Sequence, residues 1–444
     1  MNSRLTLYIP VFSQAIAGKR FSATGQNPGV GGTQFTSVKL AILLADTYPG
    51  LDVRLVNPSD ILLDRTPVNL KIFNAIDLGN FFSSTDFESG PTVILATMSI
   101  LKQVDTDALR EHRNRIIAWQ HHPFNLDVRI VRMGIRAHVS VGSYQYYSNR
   151  PFYGSMWHIQ NPFTAVTVDR SPSTLKGGGG SRRTRIVFLG ALIRAKGFLH
   201  IAKQWHAIQN VIPGAELHVI GSSATYGKQP EHSIVPCDRD LATDILNFIP
   251  KRDIDDGRVT FHGNLGDERF DILKNADVAI LNPTGQTEAF PASPLECMAT
   301  GVPVIASDEY GMSDTMSFFP ELAIKRPEQV ADRLKWLFSD NLRYEELRQR
   351  AFTVADWFDS QTGLILARWR RLFQLMIDSN DPIENNPPME SLYGSRLRFF
   401  MTIVRVVLLQ VRQYLRRLVH NSYNMSFQMK KALECFFDNF FRKF

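Results

Sequence analysis

The 444-residue sequence is poor in cysteine and has no long apolar run. Its three cysteines, Cys237, Cys297 and Cys435, lie far apart, and none belongs to a C-x-x-C pair. This spacing excludes a disulfide-dense scaffold or a zinc ribbon and favours a reducing compartment. No stretch reaches the roughly 18 consecutive apolar residues that a membrane-spanning helix needs.

The composition indicates a folded chain with more than one domain. Hydrophobic residues make up 44% of the sequence, and the aromatic share of 11% includes 30 Phe. Such a chain can bury substantial cores, which excludes wholesale disorder. At roughly 100–200 residues per domain, the length predicts two or three domains.

Four consecutive glycines followed by polar residues, at 177–184, form the clearest linker in the sequence. They predict an N-terminal domain over 1–168, a linker over 169–184 and a C-terminal domain over 185–380. A polar, Pro-rich stretch after Asp381 predicts a further boundary, which leaves 381–444 as a tail.

Both predicted domains alternate short apolar runs with helical patterns. Runs that are apolar on both faces indicate parallel strands covered by helices. We therefore expect two doubly wound, Rossmann-like α/β domains that face a cleft, with ligands beyond the carboxyl ends of the strands. The predicted strands are 5–9, 53–56, 92–96, 116–119 and 138–141 in the first domain, and 186–189, 217–220, 259–262, 278–281 and 302–306 in the second.

The stretch 282–307 has the order strand end, polar loop, helix, Gly and strand. Ser293, Pro294 and Glu296 fall at the N-cap, first and third positions of the predicted helix. This pattern is a capping box, which by itself would explain Glu296. The polar loop 285–291 is predicted to face the cleft, where the following helix N-terminus offers free N–H groups to an anion.

Glu288 and Glu296 are separated by seven residues in the context TEAFPASPLECMATGVPVIAS. This segment resembles the Glu-seven-Glu signature of the retaining glycosyltransferases of family 4, which have the GT-B fold. The resemblance implies that Glu288 lies near the transferred sugar and that Glu296 binds the ribose hydroxyls of the nucleotide, since one carboxylate can accept from two vicinal hydroxyls. It also implies that the backbone at Ala289 and Phe290 holds sugar hydroxyls and phosphate.

A second segment, IVFLGALIRAKGFLHIAK at 186–203, resembles the strand, Gly-Arg pair and Lys-Gly helix start of the same family. Lys196 matches the lysine that neutralises the donor diphosphate. Ala191 stands where the family has an arginine. Arg194, three residues on in the same loop, is our candidate for the missing positive charge.

A third segment, PGVGGTQF at 28–35, opens a helix predicted over 33–46 and resembles the Gly-Gly loop of the family's N-terminal domain. Gly31 and Gly32 would let the backbone approach the diphosphate and sugar of the donor. A dinucleotide fingerprint fails here, because Gln34 occupies the position of its third glycine and the loop begins about twenty residues after the preceding strand.

The predicted strand 116–119 is followed by Gln120, His121 and His122. A histidine at the end of this strand resembles a position often found beside the reacting sugar in the family, and we assign it to His121, with His122 as the second candidate. Neighbouring side chains on an extended chain point in opposite directions, so one is expected to face the cleft. A hydrogen-bonded turn histidine is the alternative. No third ligand has suitable spacing, so we expect no zinc site at these histidines. The resemblance to family 4 implies a site without a metal.

The net charge of +7 comes from the tail, because residues 391–444 carry ten Lys or Arg and two Asp or Glu. The pattern over 396–420 predicts an amphipathic helix, basic on one side and rich in Phe, Val and Leu on another. Such helices are typical of proteins that lie on an anionic membrane surface. A helix packed on the body, an oligomer interface and nucleic-acid binding are alternatives, and the apolar content argues against the last.

Together, these patterns predict a retaining hexosyltransferase of the GT-B fold with an amphipathic C-terminal tail. Its donor would be a nucleotide diphosphate sugar and its acceptor a lipid-linked or lipopolysaccharide-type glycan. Residues 396–444 would hold it on the inner face of the cytoplasmic membrane. We expect no metal, no other cofactor and no nucleic-acid partner. The alternatives are an inactive binding protein of the same fold, which Ala191 would explain, and a soluble glycosyltransferase with a small acceptor.

Overall fold

The computed structural model describes residues 5–57, 60–83, 92–97, 110–122, 134–150, 155–170, 183–226, 229–378 and 383–386. Within these residues the chain forms two α/β domains, each built on a parallel sheet. The predicted architecture is therefore confirmed. Most of the predicted linker, and the tail from residue 387 onward, lie outside the described residues.

The N-terminal domain contains nine described strands. They are β1 (Leu5–Pro10), β2 (Arg20–Phe21), β3 (Leu51–Asn57), β4 (Leu62–Leu63), β5 (Leu70–Asn74), β6 (Thr92–Thr97), β7 (Ile116–Gln120), β8 (Ala137–Ser140) and β9 (Met156–His158). Seven of these described strands form one parallel sheet in the order β5-β3-β1-β6-β7-β8-β9, and β2 pairs with β4. Every residue of β3 and β7 is buried, as expected for a sheet covered on both faces.

The C-terminal domain has a second parallel sheet of six described strands. They are β10 (Arg185–Leu189), β11 (Glu216–Ile220), β12 (Val259–Gly263), β13 (Val278–Leu281), β14 (Val304–Ser307) and β15 (Ala323–Ile324). Their order in the sheet is β12-β11-β10-β13-β14-β15. The order reverses between β10 and β13, and the loops that follow these two strands carry Lys196 and Glu288.

Helices cover both sheets. Those of the N-terminal domain are α1 (Gly32–Thr47), α2 (Leu78–Phe82) and α3 (Ser143–Asn149). Those that follow are α4 (Phe198–Val211), α5 (Arg239–Leu246), α6 (Lys251–Asp255), α7 (Arg269–Leu273), α8 (Ser293–Ala299), α9 (Ser313–Met316), α10 (Val330–Phe338), α11 (Asn341–Ser360) and α12 (Thr362–Asp378). None of the helices in the described part of the chain is long and apolar enough to cross a membrane.

The last helix returns to the N-terminal domain. On α12, the ring of Trp369 meets that of Trp119 of β7 edge-on, with centroids 5.4 Å apart. Arg368, also on α12, donates to the backbone oxygen of His158 in β9. Residues 383–386 then pair with the same strand, through a bridge between Trp157 and Asn386. Residues that the sequence assigns to the C-terminal domain thus complete the N-terminal one.

The two domains also touch beside the cleft. The Asp314 carboxylate accepts a hydrogen bond of 2.8 Å from the backbone N–H of Ser143, at the start of α3. The rings of Tyr144 and Tyr310 pack edge-to-face with centroids 5.2 Å apart. Gly142 makes this approach possible, because a Cβ there would collide with the backbone oxygen of Ala289. The segment that carries Ala289 therefore rests directly on the N-terminal domain.

Two buried histidines on adjacent strands of the N-terminal sheet make stability depend on pH. Burial lowers the pKa of His138 and of His158 to about 3. An unfolded chain binds a proton at each imidazole below pH 6.5, whereas the folded protein does so only near pH 3. The free energy of unfolding should therefore fall as the pH drops from 6.5, by about 1.4 kcal/mol per pH unit for each histidine.

Urea unfolding of His158→Phe should isolate the contribution of His158 to the pH dependence of the free energy of unfolding. Neither ring nitrogen of His158 has a hydrogen-bond partner among the described residues, so an apolar ring of similar size should be tolerated. Between about pH 5.5 and pH 4.5 the variant should lose about 1.3 kcal/mol less stability than the wild type. The exposed His206→Asn serves as a control and should follow the wild type. Equal losses in His158→Phe and the wild type would contradict the assignment.

Candidate active site

A cleft with a cavity volume of about 360 Å³ lies between the two domains, at the carboxyl ends of both sheets. The N-terminal domain contributes the loop before α1, the face of α1 itself and the end of β7. The C-terminal domain contributes the loops that follow β10 and β13 and the first turn of α8. Four separate sequence segments therefore meet in one place. Those that follow β7, β10 and β13 were predicted there by their positions at strand ends.

Lys196 and Glu288 form an ion pair on the C-terminal wall. Lys196 Nζ lies 2.8 Å from Glu288 Oε1, and the two side chains are 17% and 9% exposed. Asn282, directly after β13, donates to the same oxygen at 3.0 Å. A short 3-10 turn places the lysine, and Gly197 follows it with φ of 76°, where a Cβ would lie 2.9 Å from Pro283 Cδ. The loop therefore requires glycine after the lysine.

The residue before Glu288 has an uncommon backbone. Thr287 has φ of 65°, and among the described non-glycine residues it shares a positive φ with Tyr310 alone. A β-branched residue in this region costs on the order of 1–3 kcal/mol and is retained where surrounding contacts impose it. Here the strained residue immediately precedes the carboxylate that accepts from Lys196 and Asn282.

Glu296 is bound by an arginine that the sequence patterns did not identify. Arg269, at the start of α7, donates from Nε to Glu296 Oε2 at 3.1 Å and from Nη2 to Glu296 Oε1 at 3.0 Å. The predicted capping box is wrong, because Ala292 is the N-cap of α8 and no side chain caps it. The Glu296 side chain instead extends to Arg269, and both residues line the cleft.

Ala289 and Phe290 line the cleft between the two glutamates. Both are buried, and the ring of Phe290 packs on that of Phe358 with centroids 5.7 Å apart. This packing fixes the backbone of the loop from the side of α11. Backbone groups at these two positions are therefore held beside the cavity.

The glycine loop predicted before α1 is present. Gly32 begins the helix and lines the cleft, while Gly31 is its N-cap. A Cβ at Gly31 would collide with the Gln34 side chain and approach Thr225 of the other domain to 3.5 Å. The 16-residue α1 therefore points its free N–H groups towards the space between the domains.

His121 and His122 both line the cleft, so the expectation that only one of them would face it is wrong. The ring of His121 packs edge-on against Trp119, with centroids 4.3 Å apart, and burial lowers the pKa of His121 to about 3. Its imidazole is therefore neutral at physiological pH, so it can exchange hydrogen bonds but cannot act as a resident acid. Its Nε2 atom has no hydrogen-bond partner among the described residues.

Arg194 does not reach the cleft. Its Nη2 atom lies 2.7 Å from Asp244 Oδ2, and its side chain is 56% exposed. The 3-10 turn that directs Lys196 inwards directs Arg194 towards α5. The suggestion that Arg194 replaces the arginine missing at Ala191 is therefore not supported by the geometry.

The cleft contains a second cation that the sequence patterns missed. Lys39, on α1, is 1% exposed, and its ammonium group donates to Thr164 Oγ1 at 2.7 Å. Burial lowers its pKa to about 8, while the charges of Asp359 and Glu296 act in the opposite direction. The sequence signal that could have identified Lys39 is its position as a single lysine inside the otherwise apolar run 38–45.

Across the described ranges, no group of three His, Cys, Asp or Glu residues is arranged to hold a metal ion.

The C-terminal wall of this cleft lies in a region of the sequence that matches a known family. Residues 183–340 match the family model described as glycosyl transferases group 1. Lys196, Arg269, Glu288 and Glu296 all fall inside the matched region. No curated protein matches the chain.

Solved structures agree on the fold. The chain is similar to the Anabaena protein HepE in complex with UDP-glucose, with a TM-score of 0.57 at 15% identity, over 83% of this chain and 99% of that one. For HepE in complex with UDP and glucose, the TM-score is 0.57 at 14% identity, over 84% of this chain and 100% of that one. For a glycosyltransferase from Rickettsia africae, the TM-score is 0.53 at 11% identity, over 86% of this chain and 100% of that one. The expected GT-B fold is confirmed. Because the identities are low, the similarity to these structures shows the fold alone.

Proposed function

We propose that the protein is a retaining glycosyltransferase that takes a sugar from a nucleotide diphosphate sugar. The observation that carries the proposal is the ion pair of the partly buried Lys196 with the buried Glu288 in the interdomain cleft, with Glu296 on the same wall. The match to group 1 glycosyl transferases over 183–340 supports it. A complex of HepE with UDP-glucose indicates uridine as the first base to test.

The proposed roles follow from charge and position. Lys196 would neutralise the donor diphosphate, and the free N–H groups of α1 would add to this stabilisation. Glu288 would lie beside the transferred sugar and Glu296 would accept from the ribose. The backbone at Ala289 and Phe290 would hold sugar hydroxyls. His121, neutral and partly buried, would exchange a hydrogen bond with the sugar.

The resemblance to family 4 extends the proposal to the stereochemistry. Transfer would occur on one face of the sugar with retention of configuration, without a protein nucleophile and without a metal. Incubation with UDP-sugars, followed by proton NMR of the product, tests this part directly. We expect the anomeric configuration of the donor in the product, at a rate unchanged by a chelator. An inverted product would contradict the retaining mechanism.

We further propose a lipid-linked or lipopolysaccharide-type glycan as acceptor, at the inner face of the cytoplasmic membrane. The support is the ten basic and two acidic residues of 391–444, interleaved with apolar residues. The segment that leads into this tail, 383–386, pairs with β9 of the N-terminal domain. The tail thus departs from the domain that would bind the acceptor.

Flotation on vesicles tests the membrane proposal. The full chain should float with vesicles that contain anionic lipid and less with neutral ones, because each Lys or Arg near an anionic surface contributes about 1 kcal/mol. A shortened chain that ends at Asn386 keeps the pairing with β9 and should stay in solution. If both chains stay in solution, the tail has another role, and a soluble enzyme with a small acceptor becomes the better proposal.

Ala191 favours one alternative, a binding protein of the same fold without activity. The family's arginine is missing there, and Arg194 pairs with Asp244 instead of facing the cleft. Turnover of any nucleotide sugar would exclude this alternative. Nucleotide binding without turnover would favour it.

A further inference from the structure

Arg269 has an unusual position for a charged residue, since it is 3% exposed and every nitrogen of its guanidinium group donates a hydrogen bond. Two of these bonds form a fork on the Glu296 carboxylate. The remaining nitrogen, Nη1, donates to the backbone oxygens of Asn27 at 2.8 Å and Gly266 at 2.6 Å. Its guanidinium carbon Cζ lies over the ring of Phe270, 4.4 Å from the ring centroid.

The fork leaves Glu296 able to bind a diol. An ionised carboxylate has about four lone-pair sites on its two oxygens, and a bidentate arginine uses two of them. The other two lone-pair sites can accept hydrogen bonds from two neighbouring hydroxyls, such as those of a ribose. Because the fork is rigid and planar, Arg269 also fixes the plane in which these remaining sites lie.

The bond to Asn27 links this carboxylate to the N-terminal domain. Asn27 lies in a tight turn, where its Oδ1 atom accepts from the backbone N–H groups of Gly29 at 3.0 Å and Val30 at 2.9 Å. That turn leads directly into the glycine loop at the start of α1. One guanidinium group therefore joins the ribose-side carboxylate to the loop that would cover the diphosphate.

We propose that Arg269 is a positioning residue for the donor, which orients Glu296 towards the vicinal hydroxyls of the nucleoside ribose and holds the N-terminal glycine loop closed over the same ligand. This inference rests on the proposed nucleotide-sugar function and adds to it a residue and a physical role. Lysine cannot replace it, because an ammonium group is a point charge without the planar fork.

The test compares uridine 5′-diphosphate with its 2′-deoxy form by titration calorimetry. In the wild type, loss of the 2′-hydroxyl should weaken binding roughly tenfold to a hundredfold, the range for a hydrogen bond to a charged group. In Arg269→Lys the two ligands should bind within about threefold of each other, because the carboxylate is no longer oriented. With a sugar donor, KM should rise roughly tenfold or more while kcat changes less.

Matched variants separate positioning from folding. Arg348 is also a buried arginine, paired with Glu345 at 3.1 Å and packed on the ring of Phe352, outside the residues that line the cleft. Arg348→Lys should keep the full preference for the ribonucleotide. Arg269→Gln retains an N–H donor without charge and replaces the lysine variant if that one does not fold.

Each outcome has a definite meaning. Loss of 2′-hydroxyl discrimination in Arg269→Lys, with discrimination kept in Arg348→Lys, supports the inference. Unchanged discrimination in Arg269→Lys overturns it and leaves the proposed function intact. If the wild type binds none of the uridine, guanosine, adenosine or cytidine diphosphates, the proposed function fails and the inference fails with it.

Discussion

Glu288→Gln is expected to lower the rate of sugar transfer about a thousandfold while donor affinity changes by about threefold or less. Glutamine keeps the shape of the side chain and can still accept from Asn282. It removes a negative charge from a buried site that, under the proposed function, lies beside the reacting sugar. The transferred sugar develops oxocarbenium character in the transition state of glycosyl transfer. Charge stabilisation that matters only in the transition state appears in kcat and not in binding.

The measurement is kcat and KM for a UDP-sugar, together with the dissociation constant of the nucleotide. Glu345→Gln is a suitable control, since Glu345 is also paired with a basic side chain, that of Arg348, but lies on α11, outside the cleft. It should behave like the wild type in all three quantities. A Glu288→Gln enzyme with kcat within about tenfold of the wild type would show that this carboxylate does not act on the sugar.

Lys196→Ala is expected to reduce kcat/KM for transfer roughly a hundredfold to a thousandfold. Its ammonium group is the cation that Glu288 holds in the cleft, and the leaving diphosphate gains negative charge as the sugar departs. Lys196→Arg should recover part of the loss, because it restores the charge with a different shape. The exposed Lys203→Ala on α4 should have no effect beyond about twofold.

Removal of Lys196 also leaves Glu288 without its ion-pair partner in a nearly buried site, so part of its effect could be structural. A double-mutant cycle with Glu288→Gln separates these contributions. If the two residues act on one transition state, the double variant should lose much less than the product of the single losses. Strictly multiplicative losses would indicate that the two side chains act independently and that their 2.8 Å contact has no catalytic meaning.

The sequence predicted the elements and the strand ends that form the cleft. Lys196 and Glu288 each follow a strand of the same parallel sheet, and the carboxyl ends of such strands share one edge, so the sequence places both loops beside the cleft. Their direct ion pair was not predicted. The helix that begins at Gly32 was expected from its glycine loop. These predictions depend on local pattern and on the topology that such patterns allow, and the structure confirms them.

The remaining features depend on three-dimensional contacts that no local pattern encodes. Arg269 reaches Glu296 from a different helix, across 27 residues of sequence, and this contact replaces the capping box that local spacing suggested. Arg194 and Lys196 are two residues apart, and only the direction of a 3-10 turn decides which of them faces the cleft. The return of α12 to the N-terminal sheet likewise follows from packing around Trp369 and not from any boundary signal.

We propose that the cleft binds a nucleoside diphosphate, and thermal unfolding with a panel of nucleoside diphosphates is the experiment that decides this. A ligand at about 100 times its dissociation constant adds about 2.7 kcal/mol to the free energy of unfolding. We expect one base to raise the melting temperature of the wild type and to have little effect on Glu296→Ala. If no nucleoside diphosphate stabilises the wild type, or if Glu296→Ala is stabilised equally, the assignment of this cleft as a nucleotide-sugar site is contradicted.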